Sequence, residues 1–92
     1  MRMKIIAVDC DGTLCNEVCF TPRDCLTSTP IKKNIRKVNE LYQDNFIVIY
    51  TARRSLLISA TLMWLEKHDV KFHAISNRKI PFDIYINSGG GE

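Results

Sequence analysis

The sequence is short of residues that break or bias structure, and each shortage excludes a class. Four Gly and three Pro in 92 residues exclude collagen-like and low-complexity chains. No apolar run is long enough to cross a membrane. The longest, Leu56 to Leu65, is about half the required length and holds Ser59 and Thr61. No small-residue cleavage site follows the start: Met1 to Lys4 leads straight into a strand-like segment. No signal peptide is therefore read, and the cytoplasm is the expected compartment. A strong charge of one sign is also lacking. Thirteen Lys and Arg against ten Asp and Glu leave +3, too mild to announce nucleic-acid binding but compatible with an anionic substrate if the charge is local. The four cysteines, Cys10, Cys15, Cys19 and Cys25, form no Cys-x-x-Cys pair. A zinc clip of Cys15, Cys19 and Cys25 competes with reduced thiols in a turn-rich segment. The thiols are favoured, because structural zinc prefers tight ligand pairs.

What is present reads as one small globular domain. Hydrophobic residues at 46% and charged residues at 25% are too apolar for disorder, and the length suits one domain, not two. Four short apolar runs alternate with two helical patterns. Lys4 to Val8 is continuously apolar after its lysine, as a strand buried on both faces would be. Phe46 to Tyr50 is β-branched and aromatic. Lys71 to Ile75 is weaker, and Asp83 to Ile86 follows Pro81. Thr29 is positioned to cap a helix opening at Pro30, with Ile31, Ile35, Val38 and Leu41 or Tyr42 on its buried face. Lys32, Lys33, Arg36 and Lys37 fall largely off that face. They read as a solvated surface in preference to a nucleic-acid patch. A second helix runs from a Ser55 cap to about Lys67, with Leu57, Ile58, Leu62 and Leu65 inward. Met63 and Trp64 add bulk to a core or an interface.

This order predicts an α/β fold: a single Rossmann-like three-layer domain over residues 1–92, with a mostly parallel sheet and right-handed crossovers. Residues 10–28 are too long for a plain strand-to-helix loop and are expected to form a small flap. There is no room for a cap domain, and residues 88–92 read as a flexible tail.

The sharpest chemical signal is Asp9-Cys10-Asp11-Gly12-Thr13, directly after the buried run ending at Val8. Open α/β sheets bind ligands at the carboxyl ends of their strands. Asp9 sits at such an end, and Gly12 lets the chain turn so that Asp11 faces the same point. One carboxylate can attack an electrophile while the other handles a proton, and either can hold a hard cation. The bland alternative is an acidic turn, since Asp-Gly is a common turn pair. Two carboxylates at a buried edge with no local purpose are costly, which favours function.

With these residues the sequence resembles the haloacid dehalogenase superfamily of phosphohydrolases. Members carry hydrophobic-Asp-x-Asp-Gly-Thr after their first strand, as Val8 to Thr13 does. They end a second strand in Thr or Ser, as Phe46 to Tyr50 ends in Thr51. They place a Lys before a fourth motif, as Lys79 precedes Asp83 in the Lys-x-Pro-x-Asp-x-Tyr-Ile run from Lys79 to Ile86. That run looks like small bacterial and phage members of the group. The resemblance implies a Mg²⁺-dependent phosphomonoesterase acting through an aspartyl-phosphate, with Asp9 as nucleophile and Asp11 as acid and base. It implies phosphate binding by Thr51, Lys79 and the turn at Ala52 and Arg53, and Mg²⁺ held by Asp9, the Asp11 carbonyl and Asn87. Where members place one or two acids after Tyr85-Ile86, this chain has Asn87 and Ser88. Asn87 offers an amide oxygen but no charge. Asp83 reads as a strand-start residue. Arg53 and Arg54 divide evenly between substrate contact and solvation of the helix start. His68 and His73 lack ligand spacing and read as surface residues.

The expected substrate is a small phosphorylated molecule such as a sugar phosphate or nucleotide, with no membrane partner and no nucleic acid. The competing reading is a non-catalytic relative, a binding or interaction domain with a degraded metal site. A homodimer is expected, because so small a domain with an open sheet edge gains from covering it. Met63, Trp64 or the Asp83 to Asn87 strand would lie near the contact.

Overall fold

A computed structural model describes residues 3–87. Residues 88–92, expected as a tail, and Ser88 of the fourth-motif comparison lie outside the described residues. Four strands form one sheet: β1 (Ile5–Val8), β2 (Phe46–Tyr50), β3 (Ala74–Ser76) and β4 (Ile84–Ile86). Their order is β3-β2-β1-β4 and every pairing is parallel. The first strand is thus interior, flanked by β2 with Val8 opposite Ile49 and by β4 with Val8 opposite Ile86. Burial on both sides explains why its sequence is apolar without alternation.

Three helices connect the strands: α1 (Pro22–Thr27), α2 (Lys32–Tyr42) and α3 (Ile58–Lys67), the last entered through one 3₁₀ turn at Ser55–Leu57. The steps from β1 to β2 and from β2 to β3 move in one direction along the sheet, so right-handed crossovers put the helices on one face. There Ile6, Val8, Ile47 and Ile49 pack with Ile35, Val38, Leu57, Trp64 and Leu65. Trp64 is central, 1% exposed, with its indole N–H donating to the Ser28 carbonyl at 2.9 Å. It therefore belongs to the core and is removed from the set expected at an interface, whereas Met63 is exposed. The opposite face carries Ala7 and Val48, both buried. Register puts Tyr50 and Tyr85 on that same face. The 77–83 segment returns from β3 to β4 across it, and Phe82 packs against both tyrosines, ring centroids 6.5 and 5.6 Å away. The helices thus cover one face of the sheet, and on the other, among the described residues, only the irregular 77–83 crossing takes the place of the expected third layer.

Several boundaries differ from the sequence reading for identifiable reasons. The 10–28 flap contains α1, which the sequence reading did not include. Its start is a capping box: Asp24 N–H donates to Thr21 Oγ1, Thr21 N–H donates to Asp24 Oδ2, and Pro22 opens the helix. Thr29 does not cap α2. Its N–H and hydroxyl both donate to Glu17, Pro30 bridges to Cys15, and Ile31 N–H donates to the Leu14 carbonyl. The helix therefore opens at Lys32 without a side-chain cap. On α3 the buried residues are Ala60, Thr61, Trp64 and Leu65, and Leu62 is 38% exposed. The third strand starts at Ala74, because Lys71 N–H is taken by Asn39 Oδ1 and the His73 ring accepts from Ile47 N–H.

Candidate active site

The site forms where β1 ends. Asp9 N–H continues the ladder to the Ile86 carbonyl at 2.9 Å, so Asp9 lies beside the end of β4 and Asn87. The chain then turns tightly. The Cys10 carbonyl accepts from the N–H groups of Thr13, Leu14 and Cys15, and Gly12 takes φ 81°, a conformation that favours glycine. The turn fulfils the role expected of Gly12. Asn34 of α2 fastens it, donating to the Thr13 carbonyl at 2.8 Å.

Asp9 is half-buried and accepts from Cys10 N–H at 2.8 Å. Burial raises its carboxyl above the usual carboxylate range. The Cys10 N–H opposes that shift, and the Asp11 charge adds to it. Asp11 points to a different set of partners. Its Oδ1 accepts from Arg53 Nε at 2.8 Å and from Arg53 Nη2, and its Oδ2 accepts from Cys19 N–H at 3.3 Å. Arg53 also donates to Thr61 Oγ1 at 2.8 Å and approaches Cys15 Sγ at 3.5 Å. Its side chain is 1% exposed, while that of Asp11 is 20% exposed. Burial works against the Arg53 charge, but the Asp11 carboxylate outweighs it and holds the guanidinium firmly protonated. Arg53 is thus committed inward, while Ala52 and Arg54 of the same loop are exposed.

Thr51 is buried at the end of β2, its N–H donating to the Ser76 carbonyl and its Oγ1 accepting from Arg53 N–H. The 51–55 loop is clamped from below by Asn77, whose amide donates to the Arg53 carbonyl and Ser55 Oγ. Lys79 is exposed on the 77–83 crossing, and among the described residues no ion pair joins it to Asp9 or Asp11. Asp83 sits at the opposite end of the sheet, exchanging hydrogen bonds with the Ile5 backbone. It is a strand-start residue, as the sequence implied.

The cysteines assemble differently from the Cys15, Cys19 and Cys25 clip. One ligand atom each from Cys10, Asp11 and Cys15 lies within 4.8 Å of the others, and among the described residues no other such group is found. These residues could hold a metal ion, but two sulfurs and one oxygen are a softer set than Mg²⁺ takes. The Arg53 guanidinium already contacts both Asp11 and Cys15, supplying positive charge at that point. All four thiols are free and buried. The Cys10 thiol's hydrogen bond, helped by Ser28 and Arg53, lowers Cys15 to about 6, while burial pushes Cys19 up to about 12.

The fold has solved counterparts. A conserved protein from Bacteroides thetaiotaomicron superposes with a TM-score of 0.76 at 19% identity, over 98% of this chain and 79% of that one. A chain of the Pnkp1/Rnl/Hen1 RNA repair complex superposes with a TM-score of 0.70 at 10% identity, over 98% of this chain. This chain spans 28% of that longer one. At these identities the shared property is the fold. No family model and no curated protein matches the sequence.

The sequence reading brought Asp9, Asp11, Thr51 and Asn87 to one end of the sheet, and the structure places them there. It missed the Asp11–Arg53 pair and the support given by Thr61, Cys19, Asn34 and Asn77. Only Arg53 carried a prior signal, as an arginine two residues beyond the strand-end Thr51. The others act through backbone groups or from distant segments, which spacing does not reveal.

Proposed function

We propose that the chain is a phosphohydrolase of the haloacid dehalogenase type, acting on small phosphorylated molecules. The observation that carries this reading is the placement of Asp9. It is a half-buried carboxylate at the carboxyl end of an interior parallel strand, followed by a glycine turn on which Asp11 pairs with Arg53.

In this reading an Asp9 oxygen attacks phosphorus, forming the O–P bond of an aspartyl-phosphate as the bond to the leaving oxygen breaks. The Asp11 carboxylate, paired with the Arg53 guanidinium, takes the proton from the water that attacks the aspartyl-phosphate and frees inorganic phosphate, and the leaving oxygen takes its proton from solvent. In this reading the Thr51 hydroxyl and the Ala52 N–H border the transferred phosphate, the Thr51 and Arg53 N–H groups being taken within the fold, and Lys79 supplies positive charge from the crossing segment. Asp9, the Asp11 carbonyl and Asn87 offer hard oxygen donors suited to Mg²⁺. Bound there, Mg²⁺ would neutralise charge on the phosphoryl oxygens.

A second reading, a non-catalytic binding domain, is favoured by one feature: both Asp11 oxygens already have protein partners. Turnover of p-nitrophenyl phosphate with Mg²⁺, suppressed by EDTA, distinguishes the two. In the hydrolase, Asp9→Asn lowers that turnover by at least about a thousandfold, because the amide is nearly isosteric but not nucleophilic. An unchanged circular dichroism spectrum would confirm that the fold persists. Equal rates for Asp9→Asn and the wild-type chain would remove Asp9 from the mechanism.

A further inference from the structure

The basic cluster of α2 is not uniformly a solvated face. Lys33 and Lys37 are four residues apart and so lie on one stripe of the helix. They line a cleft of about 540 Å³ together with Thr13, Asn34 and Asn87. Thr13 closes the turn that carries Asp9 and Asp11, and Asn87 follows the Ile86 carbonyl that receives Asp9 N–H. The cleft therefore lies beside the strand-end turn of the candidate active site. Its floor is apolar, Val38 and Ile86, and its volume is in the range of small-ligand sites. Among the described residues neither lysine has an ion-pair partner. Lys32 and Arg36 belong to a different stripe and line a separate hollow beside Pro30 and His68.

We propose that Lys33 and Lys37 form a second anion subsite, so that the preferred substrate is a small phosphomonoester carrying a second phosphate at the far end of its carbon skeleton. The proposal rests on the phosphohydrolase reading for the role of the first phosphate. Two ammonium groups beside an apolar floor match a skeleton that lies across Val38 and Ile86 and ends in a dianion. A mono-anionic skeleton would leave the lysines solvated and gain nothing from them. Charge-assisted hydrogen bonds to a phosphate are strong enough for a preference of about tenfold, which corresponds to about 1.4 kcal/mol.

The test measures binding, apart from turnover. Calorimetric titration of the Asp9→Asn chain with fructose 6-phosphate and fructose 1,6-bisphosphate should show the bisphosphate binding about tenfold more tightly. In Asp9→Asn with Lys33→Gln and Lys37→Gln, the ratio should fall to within about twofold of one. A matched control carrying Lys32→Gln and Arg36→Gln removes the same charge from the other stripe and should keep the preference. Equal affinities before the lysines are changed, equal loss in the control, or no binding of either sugar would each overturn the proposal. Turnover of p-nitrophenyl phosphate by the wild-type chain is followed separately. Its absence, with the binding preference intact, would end the hydrolase reading and leave the subsite standing.

Discussion

At the scale of single residues, the Asp11–Arg53 pair decides how the site is held. A guanidinium 1% exposed is tolerated only because its donors are taken by Asp11 and Thr61, with Cys15 alongside. Thr61 in turn donates to the Leu57 carbonyl, so the pair is anchored through α3 to the core. Arg53→Met removes the charge and leaves Asp11 with Cys19 N–H but without its cation. Breaking a buried pair by removing one partner costs about 3–5 kcal/mol. Because a fifth of Asp11 reaches solvent, a loss of about 2–3 kcal/mol is expected here. Adding Asp11→Asn should restore part of it, since the stranded charge is gone. Urea denaturation of the two single variants and the double variant measures this. Strict additivity with losses below about 0.5 kcal/mol would show that the pair is not energetically coupled.

At the scale of elements, the flap and the end of α3 are each held by groups that can be titrated or replaced. Glu17 accepts from Thr29 N–H and hydroxyl, and Asp24 accepts from Phe20 and Thr21 N–H. These bonds hold both carboxyls below their usual range. A carboxyl depressed in the folded state gives stabilisation that is complete above its unfolded value, about pH 4, and is lost as pH falls through the folded value. The 16–29 segment should therefore gain amide exchange on acidification before the sheet does, and Glu17→Gln should flatten that dependence. Parallel loss of protection in flap and sheet would contradict it. The end of α3 is a Schellman turn: Val70 N–H donates to the Leu65 carbonyl and Asp69 N–H to that of Glu66. Asp69 has φ 58°, where glycine avoids a cost of about 1–2 kcal/mol and Asp recovers only part of it. Asp69→Gly should stabilise the chain by about 0.5–1 kcal/mol, a rise of a few degrees in Tm by calorimetry; a fall would mean that the Asp side chain holds the turn. These elements also show what the sequence carried. Strands β1, β2 and β4, the two main helices, the Gly12 turn and the gathering of Asp9, Asp11, Thr51 and Asn87 were legible, because periodicity and strand-end position encode them locally. The flap helix had a local signature too, in Thr21-Pro22 with Asp24. The Thr29–Glu17 bridge and the Arg53–Asp11 pair were not legible, because each joins residues that only the tertiary fold brings together.

At the scale of the whole molecule, the sheet is well covered on its interior strands and open on one side. Every buried side-chain polar atom among the described residues has a partner, so the core itself demands no further contact. The edge does. Among the described residues strand β4 pairs only with β1, and at this edge Phe82, Ile84 and Tyr85 are 41%, 41% and 38% exposed. An unpaired edge with apolar neighbours is a template for another strand. A second copy aligned on β4 would add ladder hydrogen bonds and cover Ile84 on the helix face and Phe82 and Tyr85 on the other. At about 25 cal/mol per Å², removing a few hundred Å² of apolar surface contributes several kcal/mol, comparable with the whole stability of a domain this size. The molecule is therefore expected to dimerise through β4, with Trp64, locked in the core, playing no part. Ile84→Lys places a charge on the edge and should return the chain to a monomer, with a lower melting temperature. Sedimentation at low micromolar concentration reads both outcomes. A wild-type species at 10.6 kDa, unfolding cooperatively and independently of concentration, would show that the β4 edge is tolerated as it stands.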